Sequence, residues 1–176
     1  MRQTIKGSSF RRMMINAAAA IEINKQQLND LNVFPVPDGD TGTNMSMTIN
    51  AAAAKVAASA MLRGARGNSG VILSLLLRGI SKKLKGNERC DGVLWADALQ
   101  EGVDAAYKAV MKPAEGTILT VARLAAAKAI NAARENNYIE FVHAAAIEEA
   151  EIALANTMNQ NPVLKKAGVV DAGGKG

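Results

Sequence analysis

With 176 residues the chain is long enough to bury roughly two-thirds of the surface that its unfolded form exposes, so it needs no disulfide staple to fold as one domain. Hydrophobic residues make up 49% of it, but alanine supplies much of that share and aromatics only 3%, a mix that suits close-packed helices better than a sheet of β-branched residues. The formal charge of +5 comes from scattered Lys and Arg with no aromatic residues between them to stack bases, which argues against nucleic acid, and the longest apolar run, Val71 to Leu77, is far short of the roughly 20 residues that span a bilayer.

Helical spacing begins early. Phe10, Met13, Met14, Ala17, Ile21, Leu28 and Leu31 predict one helix from Ser9 to Leu31, with Ser8 or Ser9 as its N-cap. The run from Asn32 to Thr43 holds Pro35, Pro37, Gly39 and Gly42 and must be a loop. A second helix is expected from about Asn44 into the alanine-rich stretch. The segment Gly64-Ala65-Arg66-Gly67-Asn68-Ser69-Gly70 then leads into a helix apolar on nearly all sides, which reads as central and buried and ends at Gly86 and Asn87. Leu94 to Met111 is amphipathic, and Pro113 to Gly116 breaks the chain. Thr117 reads as the N-cap of a helix to about Arg134, another covers Ile139 to about Met158, and Pro162 opens a short one before Asp171-Ala172-Gly173-Gly174. The expected fold is all-α, an up-and-down bundle or barrel whose loops at Asp38, Gly67 and Gly116 gather at one end.

Asp38-Gly39-Asp40 sets two carboxylates close together on a loop that glycine lets bend, a repulsion relieved by a cation or other donors; hard oxygens on such a loop suit Mg2+ or Ca2+. An EF-hand fails, because counting from Asp38 puts Thr43 at the glycine position and Ile49 at the glutamate position. The plain alternative is that Asp38 and Asp40 cap the following helix. Thr41, Thr43 and Asn44 offer hydroxyl and amide groups where that helix would expose unpaired N–H groups, either a phosphate site or ordinary capping. Gly64, Gly67 and Gly70 around Asn68 and Ser69 make an anion cradle or a close helix contact; neither GxGxxG nor GxxxxGK[ST] is met. His143, among apolar helical neighbours, reads as a core or surface histidine. Cys90 stands alone, which excludes an internal disulfide and fits a reducing compartment. Arg11 and Arg12 interrupt any signal peptide, so the expected location is the cytoplasm.

Three ordered stretches, Asn32-Val33-Phe34-Pro35-Val36-Pro37-Asp38-Gly39-Asp40-Thr41-Gly42-Thr43-Asn44-Met45, Gly64 to Leu73 and Glu115-Gly116-Thr117-Ile118-Leu119-Thr120, together resemble the dihydroxyacetone kinase L-type domain in the version at the N-terminus of bacterial fatty acid kinase. The resemblance covers nearly the whole chain. It implies an antiparallel barrel of about eight helices with ATP or ADP and two Mg2+ at one end. By this likeness Asp38 and Asp40 hold metal and carry the catalysis, and Asn32 stands near a third ligand position that is aspartate in the glycerone-kinase branch. Thr43 and Asn44 would contact phosphates, Asn68, Ser69 and Gly70 would wrap the β-phosphate, and Thr117, Asp171 and Gly173 would border the nucleotide.

Two departures from the family pattern stand out. The stretch Asn50 to Met61 is shorter than usual, as a deletion or an unobserved loop would leave it, and the chain ends inside Asp-Ala-Gly-Gly, as a fragment of a longer multidomain protein would. The implied activity is transfer of the γ-phosphate to a fatty acid carboxylate presented by a separate fatty-acid-binding protein, with the protein's own C-terminal domains as further partners and a homodimer left open. Phosphotransfer to dihydroxyacetone, or a nucleotide-binding module inactive without its missing domains, are the alternatives.

Overall fold

The computed structural model describes residues 1–55 and 65–176, and only the backbone of residues 52–55. Gly64, at the start of the glycine-rich segment, and half of the short Asn50 to Met61 connection, residues 56–61, lie outside the described residues. Helix dominates: α1 (Gly7–Ile23), α2 (Lys25–Asp30), α3 (Thr41–Lys55), α4 (Gly67–Leu84), α5 (Gly92–Ala109), α6 (Ile118–Glu135), α7 (Ile139–Gln160), α8 (Pro162–Ala167) and α9 (Ala172–Lys175). The fold is the expected all-α bundle.

Several helix ends follow from single residues. Thr117 caps α6 as expected, and Pro162 at the first turn of α8 follows Asn161, whose Oδ1 accepts from the Val163 N–H at 3.0 Å. Asp91 caps α5 by accepting the Leu94 N–H at 2.9 Å. The single helix expected over Ser9 to Leu31 is instead two. At Asn24 the backbone leaves helical values, and the Asn24 amide donates to the Ala20 carbonyl at 2.8 Å, closing α1 before α2 begins.

The N-cap expected at Ser8 or Ser9 is at Lys6, because a two-stranded antiparallel ladder, β1 (Ile5–Lys6) with β2 (Arg89–Cys90), holds residue 6 extended directly before α1. Just upstream, the carbonyls of Gln3 and Arg2 accept the Ile139 and Glu140 N–H groups at the start of α7. The chain's beginning is thereby tied to two distant elements.

Helices α4 to α7 run up and down, joined by short connections. Where α4 crosses α5, Gly79 faces the Glu101 carbonyl and Gly102 Cα, and a methyl on Gly102 would come within 2.6 Å of the Leu76 carbonyl oxygen. Only two glycines let these backbones meet so closely. Between α5 and α6 the Arg123 guanidinium donates to the Tyr107 hydroxyl at 3.1 Å. Helices α3 and α4, by contrast, start at the same end: Gly67 meets the Asn44 side chain, and Gly70 meets Asn44 and Thr48.

Two apolar clusters fill the interior. One gathers Ile80, Trp95, Ala98, Ala129 and Val142 toward the end of the bundle where α4 and α6 finish and α5 and α7 begin; the other gathers Ile21, Leu28, Met45, Ile49 and Ile118 beneath the loops of interest. Leu28, Met45 and Leu119 are at most 2% exposed, so the floor under those loops is as firmly packed as the rest of the core. No helix among the described residues is long and apolar enough to cross a membrane.

Candidate functional site

At the start of α3 the capping is done by asparagine rather than aspartate. Asn32 is buried, and its Oδ1 accepts both the Thr41 N–H, at 3.0 Å, and the Thr41 hydroxyl, at 2.5 Å, while its amide donates to the Val36 carbonyl at 2.7 Å. Asn29, which the sequence reading passed over, accepts the Thr43 N–H at 3.1 Å and donates to the Thr43 hydroxyl at 3.2 Å. The α3 N–H groups at Thr41 and Thr43, expected to be unpaired and open to phosphate, are therefore already satisfied. The helix starts at Thr41, three residues before the expected Asn44, because these two caps hold its first turn.

That arrangement leaves Asp38 and Asp40 with no capping duty. Asp38 is exposed and Asp40 half-buried, and neither carboxylate forms a hydrogen bond or an ion pair among the described residues. Gly39 between them has φ +66°, the left-handed turn that sets the two on one short loop.

The glycine-rich segment packs directly on α3. At Gly67, where φ is +59°, a methyl would collide with the Asn44 amide; at Gly70 it would come within 2.5 Å of Thr48 Oγ1 and 3.1 Å of the Asn44 carbonyl oxygen. Asn44 is therefore wedged against the start of α4. Arg66, the N-cap of α4, makes no side-chain capping bond, so the first-turn N–H groups of this 18-residue helix keep their partial positive charge, with Asn68 exposed and Ser69 half-buried beside them.

Two further helix starts close this end of the bundle. Asp171 is 5% exposed, and its Oδ2 accepts the Ile118 N–H at 2.9 Å and the Gly174 N–H at 2.8 Å, capping α6 and α9 at once. Burial raises its carboxyl above the ordinary range, against the two N–H bonds, which favour the anion. A methyl on the adjacent Gly173 would stand 3.3 Å from Ser69 Oγ, so α9 touches the glycine loop.

At Gly116, φ is +73° and the Thr157 carbonyl oxygen bars a side chain. The Gly116 N–H donates to Thr120 Oγ1 at 3.0 Å, Thr120 donates to Glu115 Oε2 at 2.9 Å, and Arg123 pairs with the same oxygen at 2.9 Å. Glu115, Thr120 and Arg123 lock the turn that carries Thr117, a network spaced at i, i+5 and i+8 that no short motif advertises.

The expected site residues thus fall into one contiguous end: Asn44 against Gly67, Gly70 against Thr48, Ser69 against Gly173, and Asp171 on Ile118, next to Thr117. Asp38, Asp40, Thr41 and Thr43 belong to the same end through α3. Mg2+ is commonly held by one or two carboxylates, with substrate phosphates and water completing its octahedron, and the paired hard oxygens of Asp38 and Asp40 fit that donor set. Among the described residues no group of three or more His, Cys, Asp and Glu side chains assembles into a metal site. Asn32 fits less well, because both lone pairs of its Oδ1 already accept hydrogen bonds.

The profile of the DAK2 domain matches residues 35–176. Protein YloV of Bacillus subtilis is 47% identical over 99% of this chain, and uncharacterised proteins of Staphylococcus saprophyticus and Staphylococcus aureus are 47% and 44% identical over 98% of it. These alignments run over 186 to 188 positions, more than the chain has residues, so the relatives carry positions without a counterpart here. The chain covers 34% of each relative, about a third of their length. On the profile match and on this identity over nearly its whole length, the chain belongs to the DAK2 domain family and is a kinase-related nucleotide-binding module.

Proposed function

We propose that the chain binds Mg-ATP at the Asp38 end and serves as the nucleotide-binding domain of a kinase that phosphorylates a fatty acid carboxylate presented by a separate acyl-binding protein. The observation that carries this reading is the pair of carboxylates at Asp38 and Asp40, released from capping by Asn29 and Asn32 and leading into the first turns of α3, on which the uncapped start of α4 packs. Domains of this family bind ADP or ATP.

Asp38 and Asp40 would hold Mg2+, with Asn32 the third candidate ligand; the ion, when bound, supplies positive charge that offsets the charge of the phosphates. Two ions are the family expectation. The first-turn N–H groups of α4 at Asn68, Ser69 and Gly70 hold the β-phosphate, where charge accumulates as ADP leaves. Thr41, with both donors committed to Asn32, fixes the start of α3, the Thr43 hydroxyl, which keeps its proton to donate, and Asn44 orient the phosphate chain, and Thr117, Asp171 and Gly173 border the nucleotide. A carboxylate oxygen of the acceptor attacks the γ-phosphorus, the bond from that phosphorus to the ADP oxygen breaks, and the products are an acyl phosphate and ADP. A carboxylate is already ionised at neutral pH, so the reaction needs no general base. Positioning and charge stabilisation do the work, and His143, across the bundle against Trp95, has no part in it.

Because the chain covers a third of its relatives' length, a second reading is supported as well: a nucleotide-binding module whose transfer activity requires the rest of the protein. Glycerone phosphorylation is the alternative chemistry for the same site. Isothermal titration of ATP with and without Mg2+, on the parent chain and on Asp38→Ala with Asp40→Ala, tests the site. Mg2+-dependent binding that the double variant loses is the expected result, and binding that survives in the variant sinks the assignment of these carboxylates. Adding an acyl-loaded carrier protein then separates an active kinase from a binding module.

A further inference from the structure

At the far end of α4 the surface folds into a half-open groove of about 670 Å3, within the size range of small-molecule sites. Its floor is apolar: Ile5 from β1, Phe10 from α1, Leu84 from the last turn of α4, and Cys90 from β2. Phe10 is braced from behind by an edge-on contact with Trp95, ring centroids 6.2 Å apart. Burial pushes the Cys90 thiol up to about 11, so the floor carries no charge there.

The mouth is of opposite character. Lys6, Arg78, Lys82, Lys85 and Arg89 ring it, against Glu88 as the one acid in the lining. The whole chain has a net charge of only +5, so this groove concentrates on one small surface nearly as much positive charge as the protein carries in excess. Lys82 is paired with Glu101 at 2.7 Å, which leans it toward α5; the other four stand on exposed positions of β1, β2, α4 and the cap that follows α4. An apolar floor under a cationic mouth is complementary to a molecule with an apolar body and an anionic head.

We propose that this groove binds a compact amphiphilic anion, with a ring system lying on Phe10 and Leu84 and a carboxylate, sulfonate or phosphate group at the cationic mouth. Only four apolar side chains stand in the lining, against five cationic ones, which suits a small apolar body under an anionic head. Ser81, in the groove, is about 20 Å along α4 from Gly67, so this is a second site, separate from the nucleotide end. The proposal therefore stands whether or not the chain is a kinase.

The test is titration of the full chain with anilinonaphthalene sulfonate, followed by fluorescence and by amide NMR spectra. Saturable one-to-one binding is expected, with shifts confined to residues 5–10 and 78–90 and with no displacement by Mg-ATP. Arg78→Glu with Lys85→Glu, both exposed, should weaken it by about tenfold, and phenylnaphthylamine, the same rings without the anion, should bind weaker than the sulfonate by a similar factor. Shifts at residues 41–44 and 67–70, equal affinity for the neutral analogue, indifference to the charge reversals, or association with phosphatidylglycerol vesicles but not with the monomeric anion would each overturn the proposal.

Discussion

Asn32→Ala separates the two roles open to that residue. In the folded chain Asn32 Oδ1 satisfies two donors of Thr41, itself 5% exposed, and its amide holds the Val36 carbonyl. Truncation strands the Thr41 N–H in a buried position and removes an N-cap; the hydroxyl can rotate to another acceptor, and the carbonyl of exposed Val36 can meet water. One buried orphan plus one lost cap gives a loss of about 2–3 kcal/mol. For a domain of this size that lowers the melting temperature by about 5–10 °C, readable by far-UV circular dichroism without any ligand present.

Asn32→Asp keeps an acceptor for Thr41 but gives up the bond to Val36 and adds a negative charge near Asp38 and Asp40. It should melt between the parent and the alanine variant, and Mg2+ should recover part of its loss. If Asn32→Ala melts with the parent in the absence of metal yet loses Mg2+-dependent ATP binding, the stapling argument is wrong and Asn32 is a ligand first.

Gly70→Ala should weaken Mg-ATP binding and cost about 1–3 kcal/mol of stability, because the new methyl meets Thr48 Oγ1 at 2.5 Å and has backbone behind it; guanidinium unfolding that matches the parent would show that α3 and α4 can separate freely. Cys90, with its thiol at about 11, should hold only about one part in a thousand as thiolate near pH 8 against about a tenth for a thiol at the ordinary value of 9.0, so iodoacetamide should label the native chain about a hundredfold more slowly than the denatured chain. Burial holds the His143 imidazole below its ordinary value of 6.5, so the unfolded chain takes up that proton first and stability declines as pH falls through about 6.5. His143→Phe should flatten that part of the stability profile, and an unchanged slope would assign it to other groups.

Helices with strong local punctuation were legible in the sequence. Thr117, Pro162 and the start of the proline-rich loop mark ends through their own backbone preferences, and the structure places those ends within a residue, while the far end of that loop comes three residues early, at Thr41. What escaped depends on partners far along the chain. The β1 to β2 ladder pairs Ile5 with Cys90, two residues on each side, too short to produce an alternating pattern and joined only by the fold. The break at Asn24 escaped because Ile21 and Leu28 keep helical spacing across it. At the site, the carboxylates were legible as a chemical type, but their freedom to act was not. That freedom rests on Asn29 and Asn32 reaching 14 and 9 residues forward to do the capping instead. The one local clue was two asparagines three apart, just ahead of a proline-rich loop.

The glycine crossing of α4 and α5 makes α4 a pivoted lever. Gly79 is the fulcrum, and Gly67 lies twelve residues away, about 18 Å along a stiff rod. A tilt of about 5° at the fulcrum would swing the start of α4 by about 1.5 Å, which is the scale on which misplacement of phosphate-binding groups becomes costly to a reaction. Gly79 touches nothing in the nucleotide end, yet with the Asn44 contact it fixes the aim of that end, so sequence change at the crossing would be felt as altered phosphate geometry before the helices themselves came apart.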